Sequence, residues 1–494
     1  MSDSIRFKPL KKGNKPIKAY LLVSGLTILA MVIFGILMLL TQSGVIDASP
    51  QTFYKYLTIH GTGMIGAAAL AAAALMWYFL RNYVQLSKTI FNINLMLFLV
   101  GVVMVIIGVF SFEYAGGWTF LYPLPALSSG LWGTAGALLY LFGMLLLGTG
   151  FILFYIDAGR AIIKKHGSLA KGLGWDVILG KKSEADAPSS TVVASTMVTI
   201  VNTTGLIAGA TVIIMNIINV INPSFTFDPL LAKNLTYAFG HIFANSTIYM
   251  GVIAVYEILS RKTKRPWKAN RPFLIAWTMS TFLTMLVYPH HLLMDTVMPN
   301  WILILGQVLS FMNGLPVLVI TAYGALMIVY KSGIKWDMGS KLVFISMLGW
   351  SIGVIPAIID SAIIVNNVMH NTKWVPGHFH MYMGLGIVAM IFGFMYYLGE
   401  DEHQIRTGLM DRIALYFYAL GFVGVSGGFL TSGALSVPRR FASYIPEWMA
   451  PAMFGAGAGV LVLLAVLVFV VYFIRYLLVS KKVKGSDIYE KKLA

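Results

Sequence analysis

Long apolar runs alternate with short polar segments along almost the whole chain. A helix of about 20 apolar residues crosses a hydrocarbon core of about 30 Å, and inside that core the backbone must satisfy its own hydrogen bonds. The pattern therefore predicts an all-α fold with twelve transmembrane helices in one membrane domain, residues 1–494. The predicted spans are 18–41, 57–80, 92–112, 128–156, 192–221, 232–259, 272–294, 301–330, 341–367, 376–398, 412–434 and 448–478.

The composition narrows the class of protein further. The 494 residues are 58% hydrophobic and only 11% charged, whereas a soluble domain has about 25% charged residues. An ordinary soluble enzyme and a disordered chain are therefore excluded. The absence of cysteine excludes disulfides, iron–sulfur clusters, thiolate zinc or copper sites and covalently attached c-type heme within this chain.

The basic residues indicate how the helices are oriented. All but five of the 36 lysines and arginines fall in the two tails or in alternate polar segments. Because cytoplasmic segments carry the excess of Lys and Arg, we predict cytoplasmic tails at 1–17 and 479–494 and a cytoplasmic loop at 157–191. The five on the other side are Lys55, Lys233, Lys373, Arg439 and Arg440. The net charge of +17 then reflects topology in a lipid bilayer, and no nucleic-acid partner is expected.

Six of the nine histidines lie in or at the ends of predicted spans. The predicted topology places all six in the outer half of the bilayer, on four different helices. They are His60, His241, His290, His291, His378 and His380. Polar groups at membrane depth are costly and usually functional, and neutral imidazole is a common ligand of iron and copper. We therefore predict that the six histidines bind metal ions.

The segments around these histidines resemble, in chain order, subunit I of the heme–copper oxidase superfamily. They read LTIHGTG at 57–63, GHIFAN at 240–245, YPHHL at 288–292, WVPGHFH at 374–380 and SVPRR at 436–440. The last two segments are most similar to the B-type oxygen reductases. The likeness covers nearly the whole chain, which implies a respiratory reductase in the cell membrane of a prokaryote.

The resemblance implies two hemes held by residues of this chain. His60 and His380 would be the axial ligands of a low-spin heme, and His378 would bind a high-spin heme. Because His378 and His380 lie about 200° apart around a helix axis, one helix can serve both sites. Arg439 and Arg440 would pair with heme propionates, or alternatively anchor the chain at the membrane interface.

The resemblance also implies a non-heme metal held by His241, His290 and His291. Three imidazoles without a carboxylate suit copper better than iron. Electrons would come from a smaller membrane-anchored subunit, either cupredoxin-like or a cytochrome, because this chain has no cysteine for a copper acceptor.

One position departs from the oxygen-reducing members of the superfamily. They carry a tyrosine four residues after the first copper-binding histidine, or in one branch on the seventh span, whereas Asn245 stands four residues after His241. Tyr249 lies two helical turns after His241, and we expect it not to reach the metal. An amide cannot donate an electron, but it can hydrogen-bond a ligand, and nitric oxide reductases of the superfamily lack the tyrosine.

We therefore predict an atypical nitric oxide reductase that forms nitrous oxide, with Asn245 and His378 as catalytic residues. The alternatives are an oxygen reductase that forms water and, from another class, a histidine-containing transporter. A proton path is predicted through Tyr256, Ser310 and Glu257, although Tyr256 is equally explained as a packed aromatic residue.

Overall fold

The computed structural model describes residues 15–493, with side chains described through residue 480. Within this part of the chain, twelve helices are long and apolar enough to cross a membrane, and no strand is formed. The predicted all-α class and the number of spans are confirmed. The helices are α1 (Lys15–Gln42), α2 (Pro50–Leu80), α3 (Lys88–Phe110), α4 (Thr134–His166), α5 (Ser190–Ile221), α6 (Pro229–Thr263), α7 (Arg271–Leu292), α8 (Asn300–Val329), α9 (Met338–Asp360), α10 (Trp374–His403), α11 (Leu409–Ala434) and α12 (Pro446–Ser480).

The two predicted tails are only partly covered. Residues 1–14 and the side chains after residue 480 lie outside the described residues, so the basic groups there have no structural account. The backbone after residue 480 continues the helix of α12 as far as Leu493. The cytoplasmic assignment of both tails stays a prediction.

Several helices extend beyond the apolar runs that predict them. Helix α2 begins at Pro50, seven residues before the predicted span, because the Ser49 hydroxyl accepts the Thr52 amide and Pro50 fits the first helical position. Helix α4 continues to His166 and ends at Gly167, whose φ of +93° suits glycine. Hydropathy marks where the chain stops being apolar, and helical hydrogen bonds continue past that point.

Three other helices are interrupted near prolines or chain reversals. Helix α7 tightens into a 3-10 turn at Tyr288–Leu292, which contains Pro289. Helix α8 is broken between Asn313 and Pro316, because proline lacks an amide donor and restricts the residue before it. Helix α9 ends at Asp360 rather than at the predicted residue 367, and Ile363–Met369 forms a separate short helix.

Three helices form the interior of the bundle and position the site. The most apolar windows of α2, α6 and α10 are 78%, 100% and 94% buried, whereas those of α3 and α8 are 33% and 28% buried. Helix α6 packs against α2, α5 and α10, and α10 also packs against α9 and α11. The central helices carry four of the six histidines, and α7 adds the other two.

Candidate metal and cofactor centre

All six predicted histidines line one internal cavity of about 410 Å³. The cavity is lined by residues of α1, α2 and α6 to α12, together with loop residues before α4, before α10 and after α11. The six histidines are His60, His241, His290, His291, His378 and His380. The sequence prediction that they meet in one place agrees with this geometry, while their roles as ligands stay predictions.

His60 and His380 face each other across the cavity. Their ring centroids are 6.2 Å apart and their planes differ by 14°. Each Nδ1–H donates a 2.7 Å hydrogen bond to a carbonyl, of Met31 for His60 and of Pro376 for His380, which leaves each Nε2 without a proton. A metal with two bonds of about 2.0 Å to the nitrogens would separate the centroids by about 6.2 Å. The pair therefore fits a metal held between the two rings.

A second group of three histidines lies where α6 meets the 3-10 turn of α7. The ring centroids of His241 are 4.7 Å from His290 and 5.3 Å from His291, and one ring nitrogen of each residue lies within 4.8 Å of the others. His290 donates from Nδ1 to the Val287 carbonyl at 2.8 Å, with the Ser310 hydroxyl 3.0 Å away. In the described chain this group contains only imidazoles, a donor set that suits copper.

The 3-10 turn explains how two adjacent histidines reach the same point. In an α-helix, neighbouring side chains diverge by about 100°. In the tighter turn at Tyr288–Leu292, the His290 and His291 ring centroids lie 4.2 Å apart. Helix α8 supports the turn from behind, since a Cβ on Gly306 would lie 3.1 Å from the His290 backbone nitrogen.

His378 and His380 lie at a change of helix type in α10. The α-helical turn Trp374–Phe379 is followed by a π-helical segment, His380–Val388, and such segments often occur at functional sites. The Nδ1 of His378 is buried and has no hydrogen-bond partner among the described residues. An orphaned imidazole nitrogen is costly, so a cofactor or water must interact with this ring.

Asn245 lies beside the three-histidine group, and its catalytic role stays a prediction. Its Nδ2 is 3.2 Å from Nδ1 and 3.3 Å from Nε2 of His241. Its Oδ1 accepts a hydrogen bond from the hydroxyl of Tyr382. Tyr249, as expected, lies elsewhere, with its ring packed against Trp277 and Trp350.

The Tyr382 phenol was missed by reasoning from the sequence. In the oxygen-reducing members the tyrosine is expected on α6 or α7, whereas Tyr382 lies on α10. Tyr382 follows His378 by four residues, about one helical turn, so the two side chains are expected on the same face of α10. That spacing could have indicated Tyr382 from the sequence.

Three cations line the cavity without a carboxylate partner among the described residues. The Arg440 guanidinium donates to the Thr119 hydroxyl at 3.0 Å, and Lys373 donates to the Gln42 side chain at 2.9 Å. Burial beside Arg440 lowers the pKa of Arg439 to about 10, and burial lowers the pKa of Lys373 to about 7. Buried cations are costly unless paired, so the cavity fits an anionic ligand such as a porphyrin carboxylate.

From the sequence, Lys373 was predicted only to be one of the five basic residues on the side opposite the tails. The loops before α10 and after α11 pair through an isolated bridge between Thr372 and Pro438. This contact holds Lys373 near Arg439 and brings both residues to the cavity.

Asp360 and His370 form a carboxylate–imidazole pair beside the three-histidine group. His370 donates from Nδ1 to Asp360 at 2.9 Å, and Asn366 donates to the Asp360 carbonyl at 2.7 Å. The His370 ring is 5.4 Å from the His291 ring. The sequence assigned no role to Asp360, because the turn that returns the chain after α9 was not predicted.

The three predicted proton-path residues fall into separate groups of contacts. The Tyr256 hydroxyl lies 2.7 Å from the Thr321 hydroxyl, and Glu257 accepts from Tyr83 at 2.7 Å and pairs with Arg261 at 3.3 Å. Ser310 lies instead at the three-histidine group. Among the described residues these contacts do not join into one chain of hydrogen bonds, and the path stays a prediction.

Twelve apolar helices around a cavity lined by six histidines are typical of the membrane-bound heme–copper reductases. A sequence model of the family described as Cytochrome C and Quinol oxidase polypeptide I matches residues 15–479. The chain belongs to this family.

Individual relatives agree with that membership. Cytochrome c oxidase subunit 1 of Thermus thermophilus is 26% identical over 273 residues, 49% of this chain and 47% of that protein. The match thus spans about half the length of that relative. Cytochrome c oxidase subunit 1 of Synechocystis is 24% identical over 416 residues, 81% of this chain and 71% of that protein.

The fold also matches a solved structure. A heme–copper terminal oxidase dimer determined by cryo-EM superposes with a TM-score of 0.76 at 20% identity, covering 94% of this chain and 84% of that one. The chain is therefore a multi-pass membrane protein with the fold of a heme–copper oxidase subunit I. This class works with hemes, a further metal centre and other subunits, and the transporter hypothesis is left without support.

Proposed function

We propose that this chain reduces nitric oxide to nitrous oxide in the histidine-lined cavity. The observation that carries the proposal is the residue at position 245. Asn245 places its amide nitrogen 3.2 Å from His241 Nδ1. Oxygen-reducing members of the superfamily are expected to carry a tyrosine at this position. The reaction joins two NO molecules, takes up two electrons and two protons, and releases N2O and water. An amide suffices for this chemistry, because no side chain needs to supply an electron.

The histidines divide into three binding roles under this proposal. His60 and His380 hold the low-spin heme, His378 holds the high-spin heme, and His241, His290 and His291 hold copper. Hemes and copper held by these residues would supply the two electrons that the reaction takes up. Arg439, Arg440 and Lys373 balance the heme carboxylates, whose negative charge would otherwise be buried unpaired.

The protein environment contributes binding and orientation. Asn245 can donate a hydrogen bond to a ligand oxygen at the three-histidine site, and such a bond strengthens in a water-poor cavity. The carbonyl partners of His60 and His380 fix the ring orientation and keep Nε2 free as the ligand atom.

Reduction of oxygen to water is a second candidate function. Tyr382 favours it, because its phenol lies at the cavity and contacts the residue that replaces the usual tyrosine. The relatives named above are cytochrome c oxidases, which also favours this candidate. The two functions differ in whether a side chain must donate an electron and a proton when the O–O bond breaks.

We further propose a setting for the enzyme. The chain lies in the cell membrane of a prokaryote with both termini in the cytoplasm, because the basic residues concentrate on that side. A smaller membrane-anchored subunit, cupredoxin-like or a cytochrome, delivers electrons to the heme held by His60 and His380.

Gas turnover by the purified holoenzyme tests these proposals. The complex is reduced with one electron donor and supplied anaerobically with NO or separately with O2, while N2O formation and O2 consumption are measured and copper and heme are quantified. We expect one copper and two hemes per chain and rapid N2O formation. Rapid O2 consumption with negligible N2O would favour the oxygen reductase instead. The control is the variant His291→Ala, which removes one of the three grouped histidines. It should lose whichever activity the wild type has.

A further inference from the structure

The contact between Tyr382 and Asn245 joins two helices at the edge of the three-histidine site. Tyr382 lies on α10 and Asn245 on α6, 137 residues earlier in the chain. Both line the same cavity as His241. The hydroxyl of Tyr382 donates to Asn245 Oδ1, and Asn245 Nδ2 faces the His241 ring. The phenol, the amide and the imidazole thus follow one another in a row.

The backbone on both sides of this contact is firmly held. Helix α9 approaches Tyr382 so closely that a Cβ on Gly353 would lie 2.7 Å from the Tyr382 backbone nitrogen. Asn245 is only 8% exposed and lies in the most deeply buried helix of the bundle. Because neither backbone has room to shift, the hydrogen bond restricts the rotation of the Asn245 side chain.

The direction of the hydrogen bond determines which end of the amide faces the metal site. The phenol donates to the carbonyl oxygen, so the amide NH2 is turned toward His241. Without the phenol, the amide can rotate by 180° and present its oxygen instead, because the two orientations have almost the same shape. A carbonyl oxygen would repel the partly negative oxygen of a bound diatomic ligand.

We propose that Tyr382 is a positioning residue that holds the Asn245 amide with its NH2 toward the three-histidine site. Asn245 is then the hydrogen-bond donor to a diatomic ligand bound there, and Tyr382 acts only through Asn245. This inference rests on the proposed function, since it assumes a metal at the three histidines that binds a diatomic gas. It assigns the phenol to orienting the Asn245 amide and not to donating an electron.

The alternative role of Tyr382, as a direct electron and proton donor, is less compatible with these contacts. Its hydroxyl proton is engaged by the amide oxygen, and the amide stands between the phenol and His241. The two roles differ in a measurable way. A positioning residue has no effect once Asn245 is removed, whereas a direct donor keeps its effect.

Infrared spectroscopy of bound carbon monoxide tests the proposal. CO is bound to the reduced holoenzyme and transferred by a light flash at low temperature to the non-heme metal, where its stretching band reports nearby hydrogen-bond donors. Asn245→Leu should shift the band, and Tyr382→Phe should shift it in the same direction and broaden it. The double variant should match Asn245→Leu alone. CO affinity at this metal should fall about three- to tenfold in each single variant, as expected for one lost hydrogen bond.

Two further variants sharpen the test. Asn245→Asp keeps an oxygen acceptor for Tyr382 but replaces the NH2 donor with a carboxylate oxygen, so its band should depart from that of the wild type. Tyr20→Phe is the matched control, because it removes a buried hydroxyl that donates to the Phe91 carbonyl away from the cavity, and its band should match the wild type.

Each remaining result overturns the inference. An unshifted band in Tyr382→Phe removes the positioning role, and a wild-type band in Asn245→Asp removes the donor role of the amide. An additional shift from Tyr382→Phe in the Asn245→Leu background shows that Tyr382 acts on its own. Failure of the proposed function is seen separately, as a purified protein without heme or copper or without gas turnover.

Discussion

Gly35 on α1 lies against the His60 ring, and its substitution tests whether that ring is a metal ligand. In Gly35→Ala, the new Cβ would lie 2.9 Å from His60 Cε1 and 3.2 Å from Nδ1. Ordinary contacts between carbon atoms are about 3.5–4.0 Å long. The ring must therefore retreat by about 0.6 Å or more, or α1 must move away from α2.

The His60 ring has little freedom to retreat. Its Nδ1 is held by the Met31 carbonyl at 2.7 Å, and its other side faces His380 at a centroid distance of 6.2 Å, which already matches two metal bonds. Overpacking a tight site costs about 1–3 kcal/mol. Alanine in place of glycine favours the helix by about 1 kcal/mol. The net loss in the free energy of unfolding is therefore about 0–2 kcal/mol, and the strain is expected mainly in the bond from His60 to the metal.

The measurement is the optical and electron paramagnetic resonance spectrum of the purified protein, together with its heme content. We expect Gly35→Ala to lose part of its low-spin signal and to gain high-spin signal while it still folds. Gly457→Ala is the matched control, since it lies in a membrane helix with nothing within 4 Å of the new Cβ. A wild-type low-spin spectrum in Gly35→Ala would refute the reasoning, because it would show that α1 moves and that the His60 ring keeps its place.

The remaining predictions concern the three-histidine site, Lys373 and the predicted proton path. His291→Ala should lose the non-heme metal, measured by elemental analysis, but keep the low-spin spectrum, and loss of both would contradict separate sites. Lys373 Nζ lies 4.7 Å from the Phe429 ring, itself 5.2 Å from the His380 ring. The lysine charge therefore lies about 10 Å from the His380 ring, and at an effective dielectric of about 20 its interaction with a unit charge there is worth about 1.7 kcal/mol. Lys373→Met should therefore lower the low-spin heme potential by about 70 mV in redox titration. The wild-type potential should likewise fall as the pH rises through the pKa of Lys373, about 7 or higher with a bound carboxylate, because the ammonium then loses its charge. Tyr256→Phe should slow turnover roughly tenfold without changing the heme spectrum if its hydroxyl carries protons, and unchanged turnover would assign Tyr256 to packing.

Much of the fold was predictable from the sequence for a simple reason. The free energy of placing a segment in a bilayer is close to a sum over its own residues, so each span is decided locally. The helix ends were less predictable, because caps such as Ser49 and glycines such as Gly167 act outside the apolar run. The break after Asp360 also escaped prediction, since its sequence stays apolar.

The sequence by itself determined the twelve spans and the family resemblance, and it predicted a common depth for the six histidines, because all three depend on order along one chain. Only the tertiary structure decided which side chains touch across helices. Tyr382 and Asn245 are 137 residues apart, and Lys373 and Gln42 are 331 residues apart. Such contacts depend on how each helix is rotated and packed against its neighbours, and no local pattern specifies that rotation. The sequence indicated only on which side of the membrane Lys373 lies. The packing buries it in the cavity wall, where its charge can act on a bound cofactor.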